Sequence, residues 1–291
     1  MTRSALLLLA HGSRDAEARA EYGRIHAALA ERLAPRTVVF STLEFPDDAA
    51  LPSIAEGWRR CLAAGAERVV ALPFFLFPAG HVREDLPAEL HAAREAGGWA
   101  ALEMLPPLGP ADEILDTLAA RADEALAGSN SSGGGDSRPT ALIVAGAGTS
   151  DPDANGDLCK ATRLLWERFP DRYAMVETAW VSLTRPTVPE VVERVRRLGA
   201  ERIVVAPYFL NTGVLLKRID ARLAEARERF PELSIVRAAH FGLHPRLLDL
   251  LEARAVAALD DAENGAGLQA VCCRPSCTAV VVGRASLAGS A

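Results

Sequence analysis

Short apolar runs alternate with longer amphipathic stretches along the first half of the chain. The apolar runs, at residues 6–10, 37–44 and 68–74, have the length and composition of buried strands. Helical spacing of apolar residues fills the stretches around them, at 15–33, 51–64 and 84–96. Strands that are apolar throughout and separated by helices predict a parallel sheet with helices on both faces. We therefore expect a doubly wound α/β fold.

The same pattern occurs twice. Segment 6–18, LLLLAHGSRDAEA, aligns with 142–154, LIVAGAGTSDPDA, and the two share a glycine after the strand. At nearly the same offset, GAERVVALPFFL at 65–76 aligns with GAERIVVAPYFL at 199–210. Two long units with matching blocks indicate an internal duplication and not a solenoid. The chain is thus predicted to hold two tandem α/β domains.

The boundaries of these domains follow from composition. Residues 128–139 are rich in glycine and serine and predict a flexible linker. We therefore place the first domain at 1–127 and the second at 140–260, followed by a cysteine-containing tail at 261–291 that is expected to be flexible. A length of 291 residues and 49% apolar composition are sufficient for two cores.

Charge and cysteine usage exclude several classes of function. The formal net charge of -6 argues against a nucleic-acid or anionic-membrane surface. The first apolar run is too short to span a bilayer. Five scattered cysteines do not form a disulfide framework, so a cytoplasmic location is expected.

Three polar residues follow the predicted strands of the first unit. His11 comes after the first strand, Glu44 ends the second, and His81 follows the third. Because ligands of parallel sheets bind beyond the carboxyl ends of the strands, these side chains are expected at one edge. Two imidazoles and a carboxylate suit a divalent ion such as Co²⁺, Fe²⁺ or Ni²⁺, and also suit proton transfer near neutral pH.

The second unit offers an internal comparison. Ala147 aligns with His11, and Leu215 aligns with His81. Glu44 falls opposite Thr178 or Ser182, depending on the placement of a short insertion. All three polar groups are absent from the second copy, which favours a coupled trio in the first.

Other residues near the loops are candidates for ligand binding. Helices are predicted to begin after Gly12 and Gly148. The backbone amides at these helix starts can bind an anion, or they can belong to ordinary N-caps. Candidates for pairing with ligand carboxylates, or for plain surface polarity, are Ser13, Arg14, Arg83 and Lys217. In the tail, Cys272, Cys273 and Cys277 match no standard four-ligand pattern, so an iron–sulfur cluster there is possible but not favoured.

The loop motifs resemble those of the sirohydrochlorin chelatases. These motifs are AHGSRD at 10–15, FLFPAGHV at 75–82 with EDLP at 84–87, and GTSDPDAN at 148–155. The resemblance is closest to the long, two-unit cobaltochelatase form of cobalamin biosynthesis and covers about residues 4–258. It implies two chelatase-like domains facing across a cleft that holds a tetrapyrrole, with the metal entering as a substrate and without ATP.

The resemblance also assigns roles to the trio. It implies that His11 and His81 bind the metal and accept protons, and that Glu44 is the accompanying acid. It favours Co²⁺, with Fe²⁺ for sirohaem close behind and Ni²⁺ open, and two units in one chain are compatible with a monomer. Three rivals are a phosphohistidine phosphatase, a non-enzymatic metal carrier and a redox sensor built on the cysteine tail. The phosphatase is disfavoured because Ala10, and not an arginine, precedes His11.

Overall fold

The computed structural model describes residues 3–47, 50–129 and 138–263. Eight strands and eight helices alternate through these residues, in two sets of four strands. The strands are β1 Ser4–Ala10, β2 Thr37–Thr42, β3 Arg68–Pro73, β4 Ala101–Met104, β5 Thr140–Gly146, β6 Met175–Trp180, β7 Arg202–Pro207 and β8 Ser234–Arg237. The helices are α1 Ala16–Leu33, α2 Ile54–Ala63, α3 Leu86–Gly97, α4 Asp112–Ser129, α5 Pro152–Arg168, α6 Val188–Arg197, α7 Val214–Arg229 and α8 Pro245–Glu263.

Each set of strands forms a four-stranded parallel sheet. The orders are β2-β1-β3-β4 and β6-β5-β7-β8, so the two sheets have the same topology. In each sheet the second and third strands lie on opposite sides of the first. The strand order therefore reverses beside β1 and β5, and this is the switch point of each sheet. The predicted duplicated, doubly wound α/β fold is confirmed.

Both faces of the first sheet are covered. Leu7 and Leu9 pack in one core cluster with Trp58 of α2 and Leu90 of α3. Leu6 and Leu8, whose side chains point to the opposite face, are also fully buried. This explains why the strand is apolar at every position instead of alternating.

Two compact units can be distinguished by packing, and they do not follow the sequence halves. Of the described residues, one unit contains those up to 12, those of 26–107 and those of 251–263, and the other contains those of 13–25 and of 108–250. The boundaries predicted at 127 and 140 separate the two sequence repeats. That they are also the limits of the folded domains stays a prediction. The compact units differ from the sequence repeats because α4 belongs to the unit of the second sheet, while most of α8 belongs to the unit of the first sheet.

Equivalent arginines hold these two helices. In the first unit the guanidinium of Arg68, at the start of β3, donates to the carbonyl of Ala258 in α8 at 3.1 Å. In the second unit Arg202, at the start of β7, reaches the carbonyl of Leu126 in α4 at 3.5 Å. Each unit therefore binds the last helix of the other repeat in the same way.

A second matching pair runs from the helices to the loops. Arg254 of α8 donates to the carbonyl of Pro107 at 2.8 Å, and Arg121 of α4 donates to that of Phe241 at 3.0 Å. These loops follow β4 and β8, so they occupy the same place in the two repeats. Each repeat therefore contributes its last helix to the unit of the other repeat's sheet, and we call this the helix exchange.

Several predicted segments differ from the structure at their ends. Gly128 and Ser129, placed in the linker, complete α4, and 261–263, placed in the tail, complete α8. The rest of the predicted linker up to 137, and the tail with Cys272, Cys273 and Cys277, lie outside the described residues. In the described part of the chain, no helix combines the length and apolar character needed to cross a membrane.

Candidate active site

His11, Glu44 and His81 lie together at the carboxyl edge of the first sheet. One ligand atom from each of them falls within 4.8 Å of the others. The two Nε2 atoms of the histidines are 3.2 Å apart, and Glu44 Oε1 lies 3.9 Å from His11 Nε2. Each side chain is partly exposed, so the cluster is open to a ligand. The structure thus brings together the three residues that the sequence singled out.

The backbone positions His11 beside Glu44. Pairing of β1 with β2 continues past the ends of both strands, because the amide of Glu44 donates to the carbonyl of His11 at 2.8 Å. Gly12 follows with a φ of 97°, and a Cβ atom there would lie 1.9 Å from the carbonyl oxygen of Glu44. Glycine is therefore required at the point where these two loops touch.

His81 begins a π-helical turn, His81–Asp85, that leads into α3. The amide of Leu86 closes this turn on the carbonyl of His81, an i to i+5 bond. Such turns are rare and often occur at functional sites. In place of the helix predicted at 84–96, the structure has a π turn from His81 followed by α3 from Leu86, because regular apolar spacing does not show the wider turn.

The ring nitrogens define what the histidine pair can hold. Nδ1 of His81 lies 2.6 Å from Oδ2 of Asp85, and Nδ1 of His11 lies 3.2 Å from the carbonyl oxygen of Gly12. A carboxylate and a carbonyl only accept hydrogen bonds, so we assign each ring proton to Nδ1. With both ring protons on Nδ1, the two Nε2 lone pairs face each other at 3.2 Å and can bind one metal ion together.

The second repeat keeps the backbone frame of this site without the two histidines and the carboxylate. The amide of Ser182 donates to the carbonyl of Ala147 at 3.0 Å, in the place of the bond between Glu44 and His11. Of the two alternatives for the counterpart of Glu44, the structure therefore selects Ser182. Leu215 lies in the first turn of α7, which begins without a π turn among the described residues.

The predicted substrate-binding residues have partners of their own. Lys217 binds Asp15 at 2.9 Å and Glu17 at 3.2 Å, and the hydrogen bond to Asp15 raises the pKa of its ammonium group. Ser13 Oγ accepts from the amide of Asp15 at 3.1 Å. The sequence prediction left this ion pair out, because Lys217 and Asp15 are far apart along the chain.

Arg14 and Arg83 are exposed, and both take part in interactions. Arg83 belongs to the compact unit that holds the trio, whereas Ser13, Arg14 and Lys217 belong to the other unit. A role of these four residues in substrate binding stays a prediction.

Two runs of the chain, residues 5–125 and 141–258, match the model of the CbiX family. The chain belongs to the CbiX family. Both repeats lie within the match, and so do all members of the trio.

Curated relatives carry chelatase names. The CbiX chain is 37% identical to a sirohydrochlorin cobaltochelatase of Priestia megaterium, over 88% of this chain and 80% of that protein. It is 26% identical to a sirohydrochlorin ferrochelatase of the same organism, over 69% of this chain and 72% of that protein. The resemblance to the sirohydrochlorin chelatases is thereby confirmed.

Solved structures share the fold. SirB from Bacillus subtilis with Fe³⁺ has a TM-score of 0.75 at 22% identity, covering 90% of this chain and 98% of that one. SirB from Bacillus subtilis subspecies spizizenii in complex with cobalt has a TM-score of 0.71 at 21% identity, with the same coverage. This CbiX chain therefore has the chelatase fold along most of its length.

Proposed function

We propose that the protein is an enzyme that inserts a divalent metal ion into sirohydrochlorin, without ATP. The observation that carries the proposal is the convergence of His11, Glu44 and His81 at one sheet edge. Family membership and the names of the relatives support the tetrapyrrole as the substrate. The metal ion is the second substrate and not a resident cofactor.

The site offers both functions that insertion needs. The facing Nε2 atoms of His11 and His81 provide lone pairs for a borderline divalent ion. Insertion releases the protons of the pyrrole nitrogens, and an imidazole that has given up the metal can accept one. Glu44, at 3.9 Å from His11, balances the charge of the incoming ion and takes part in proton removal.

For the metal we propose Co²⁺, as a step of cobalamin biosynthesis. The support is the 37% identity to a cobaltochelatase over most of both chains. Ferrochelatases are among the relatives too, so Fe²⁺ is the second candidate. Imidazole and carboxylate ligands accept Co²⁺, Fe²⁺ and Ni²⁺ alike, and only insertion under equal supply of the three ions discriminates between them.

A cytoplasmic monomer remains part of the proposal. The support for a monomer is that one chain contains both repeats. Arg14, Arg83, Lys217 and Ser13 are proposed to meet the carboxylates of the substrate, for which the ion pair of Lys217 with Asp15 has to open.

The test is metal insertion by His11→Ala and His81→Ala, followed by the absorbance of sirohydrochlorin. We expect each variant to lose at least about 100-fold in rate, since general acid–base groups alone contribute that much. His91→Ala is the matched control, because His91 is an exposed histidine of α3 that pairs with Glu95. Wild-type rates in both site variants would refute the proposal. Stoichiometric Co²⁺ binding without insertion would instead favour a metal carrier.

A further inference from the structure

Asp85 lies directly behind His81 and outside the trio. Its Oδ2 atom is 2.6 Å from Nδ1 of His81, while the trio uses Nε2 of that ring. Among the described residues, the group that could hold a metal ion comprises His11, Glu44 and His81 only. Asp85 therefore contacts the opposite side of the imidazole from the proposed metal.

We infer that Asp85 is a positioning residue that fixes the tautomer and orientation of His81 for metal transfer; this inference rests on the proposed function. A carboxylate accepts the proton of Nδ1 and so keeps the lone pair on Nε2. Metal-binding histidines typically donate their other N–H to such an acceptor. Without Asp85, His81 would exchange between tautomers, and one of them places a proton where the metal must bind.

The π turn makes this contact part of the fold. His81 and Asp85 are the first and last residues of the turn, and Leu86 closes it on His81. The two side chains therefore leave the same short turn on the same side of the helix. His11 has a weaker acceptor, the Gly12 carbonyl at 3.2 Å, so the orientation of His81 is the more tightly defined of the two.

The second repeat supports a coupled pair. Strands β3 and β7 place His81 opposite Leu215, and the π turn adds one residue to the first repeat, so Asp85 corresponds to Arg218. The core residues give this register, because the buried Leu86 of α3 corresponds to the buried Ile219 of α7. Neither the histidine nor the carboxylate of the pair is present in that copy.

The experiment compares full-length Asp85→Ala and Asp85→Asn with wild type by Co²⁺ titration and by the nitrogen chemical shifts of the histidine rings. The ring shifts report the tautomer of His81 in the absence of metal, with His81→Ala used to assign its signals. We expect the Nδ1–H tautomer in wild type, a mixture in Asp85→Ala, and Co²⁺ binding weakened about 10–100-fold. Asp85→Asn keeps an acceptor oxygen and is expected to fall between the two.

Glu95→Gln is the matched control, because Glu95 and His91 form an i, i+4 pair at 3.2 Å on α3, away from the trio. A single unchanged His81 tautomer in Asp85→Ala, or wild-type Co²⁺ affinity, would overturn the inference. The failure of the proposed function would look different, since His11→Ala and His81→Ala would then insert metal at the wild-type rate, whatever Asp85→Ala does to Co²⁺ affinity. The tautomer measurement decides the role of Asp85 in that case as well.

Discussion

Gly12 has no side chain, and this allows the loops of His11 and Glu44 to lie in contact. Its positive φ and the 1.9 Å approach of a Cβ to the carbonyl of Glu44 mean that any larger residue would push the two loops apart. We expect Gly12→Ala to destabilise the fold by roughly 2 kcal/mol or more, since it combines backbone strain with a clash. It should also weaken Co²⁺ binding, because His11 and Glu44 would separate. Urea unfolding and metal titration measure the two effects.

Two matched glycines accompany this prediction. Gly148 has the same geometry in the second repeat, with its Cβ position 1.9 Å from the carbonyl of Ser182. Gly148→Ala should cost similar stability without altering the loops of His11 and Glu44. Gly23, in α1, has open space around its Cβ position, and Gly23→Ala is expected to stabilise the protein by about 0.5–1 kcal/mol. Equal stability of Gly12→Ala and Gly23→Ala would contradict the packing described for this loop.

At the residue scale, the sequence predicted the trio but not its support. His11, Glu44 and His81 could be found because each follows a strand that the apolar pattern identifies. The contact of Asp85 with His81 could not be found that way, because it depends on a π turn that has no apolar periodicity. The pairing of Lys217 with Asp15 also needed the tertiary structure.

At the scale of elements, Glu21 ties three segments of one unit together. This buried carboxylate of α1 accepts from His240 after β8, at 2.9 Å, and from the amide of Thr212 before α7, at 2.7 Å. Burial raises the pKa of Glu21, but the hydrogen bonds from His240 and Thr212 outweigh it, with Arg24 adding to the effect. The net pKa of Glu21 is lowered.

The lowered pKa predicts how stability depends on pH. A carboxylate whose folded-state pKa lies below its unfolded value, about 4.3, stabilises the fold above that pH. The contribution is lost as the pH falls through the folded-state pKa. Glu21→Gln should therefore cost roughly 1.5–3 kcal/mol at pH 7, and the difference from wild type should shrink below about pH 4. Urea unfolding at both pH values measures it.

Glu167→Gln is a suitable comparison for Glu21→Gln. Glu167 pairs with Arg163 on the surface of α5, and both side chains are more than half exposed. Exposed pairs of this kind contribute little, at most about 0.5 kcal/mol. A cost for Glu21→Gln that is equally small, or that grows on acidification, would show that Glu21 does not join these segments as described.

The sequence predicted elements unequally. β1 and β3 were clear because buried parallel strands are apolar throughout. β4 and α4 were not predicted: β4 has only four residues, all partly exposed, and contains Glu103. An amphipathic helix such as α4 shows that it has a buried face, but not which sheet covers that face. The pattern of apolar residues along the sequence therefore could not predict the helix exchange.

At the scale of the whole molecule, the exchange of α4 and α8 predicts what a single cut would do. We expect a protein cleaved between Ser129 and Arg138, at an inserted protease site, to remain one particle in size-exclusion chromatography. The reason is that the first piece still contributes α4 to β7 and β8, and the second still contributes α8 to the unit of the first sheet. Urea should be needed to separate the pieces.

The uncleaved insertion variant is the control for this experiment, since it shows whether the inserted residues disturb the fold by themselves. Two folded pieces that elute separately after cleavage would mean that each repeat is complete without the helix of the other.

The reciprocal binding of Ala258 by Arg68 and of Leu126 by Arg202 also constrains the ancestor of this gene. A gene that encoded one repeat would produce a chain whose last helix finds its partner sheet in another molecule. Such a chain would assemble as a helix-swapped homodimer with two equal sites. In a fusion of two such copies the exchange becomes internal to one polypeptide, and one sheet can lack the histidines and still hold the helix of its neighbour.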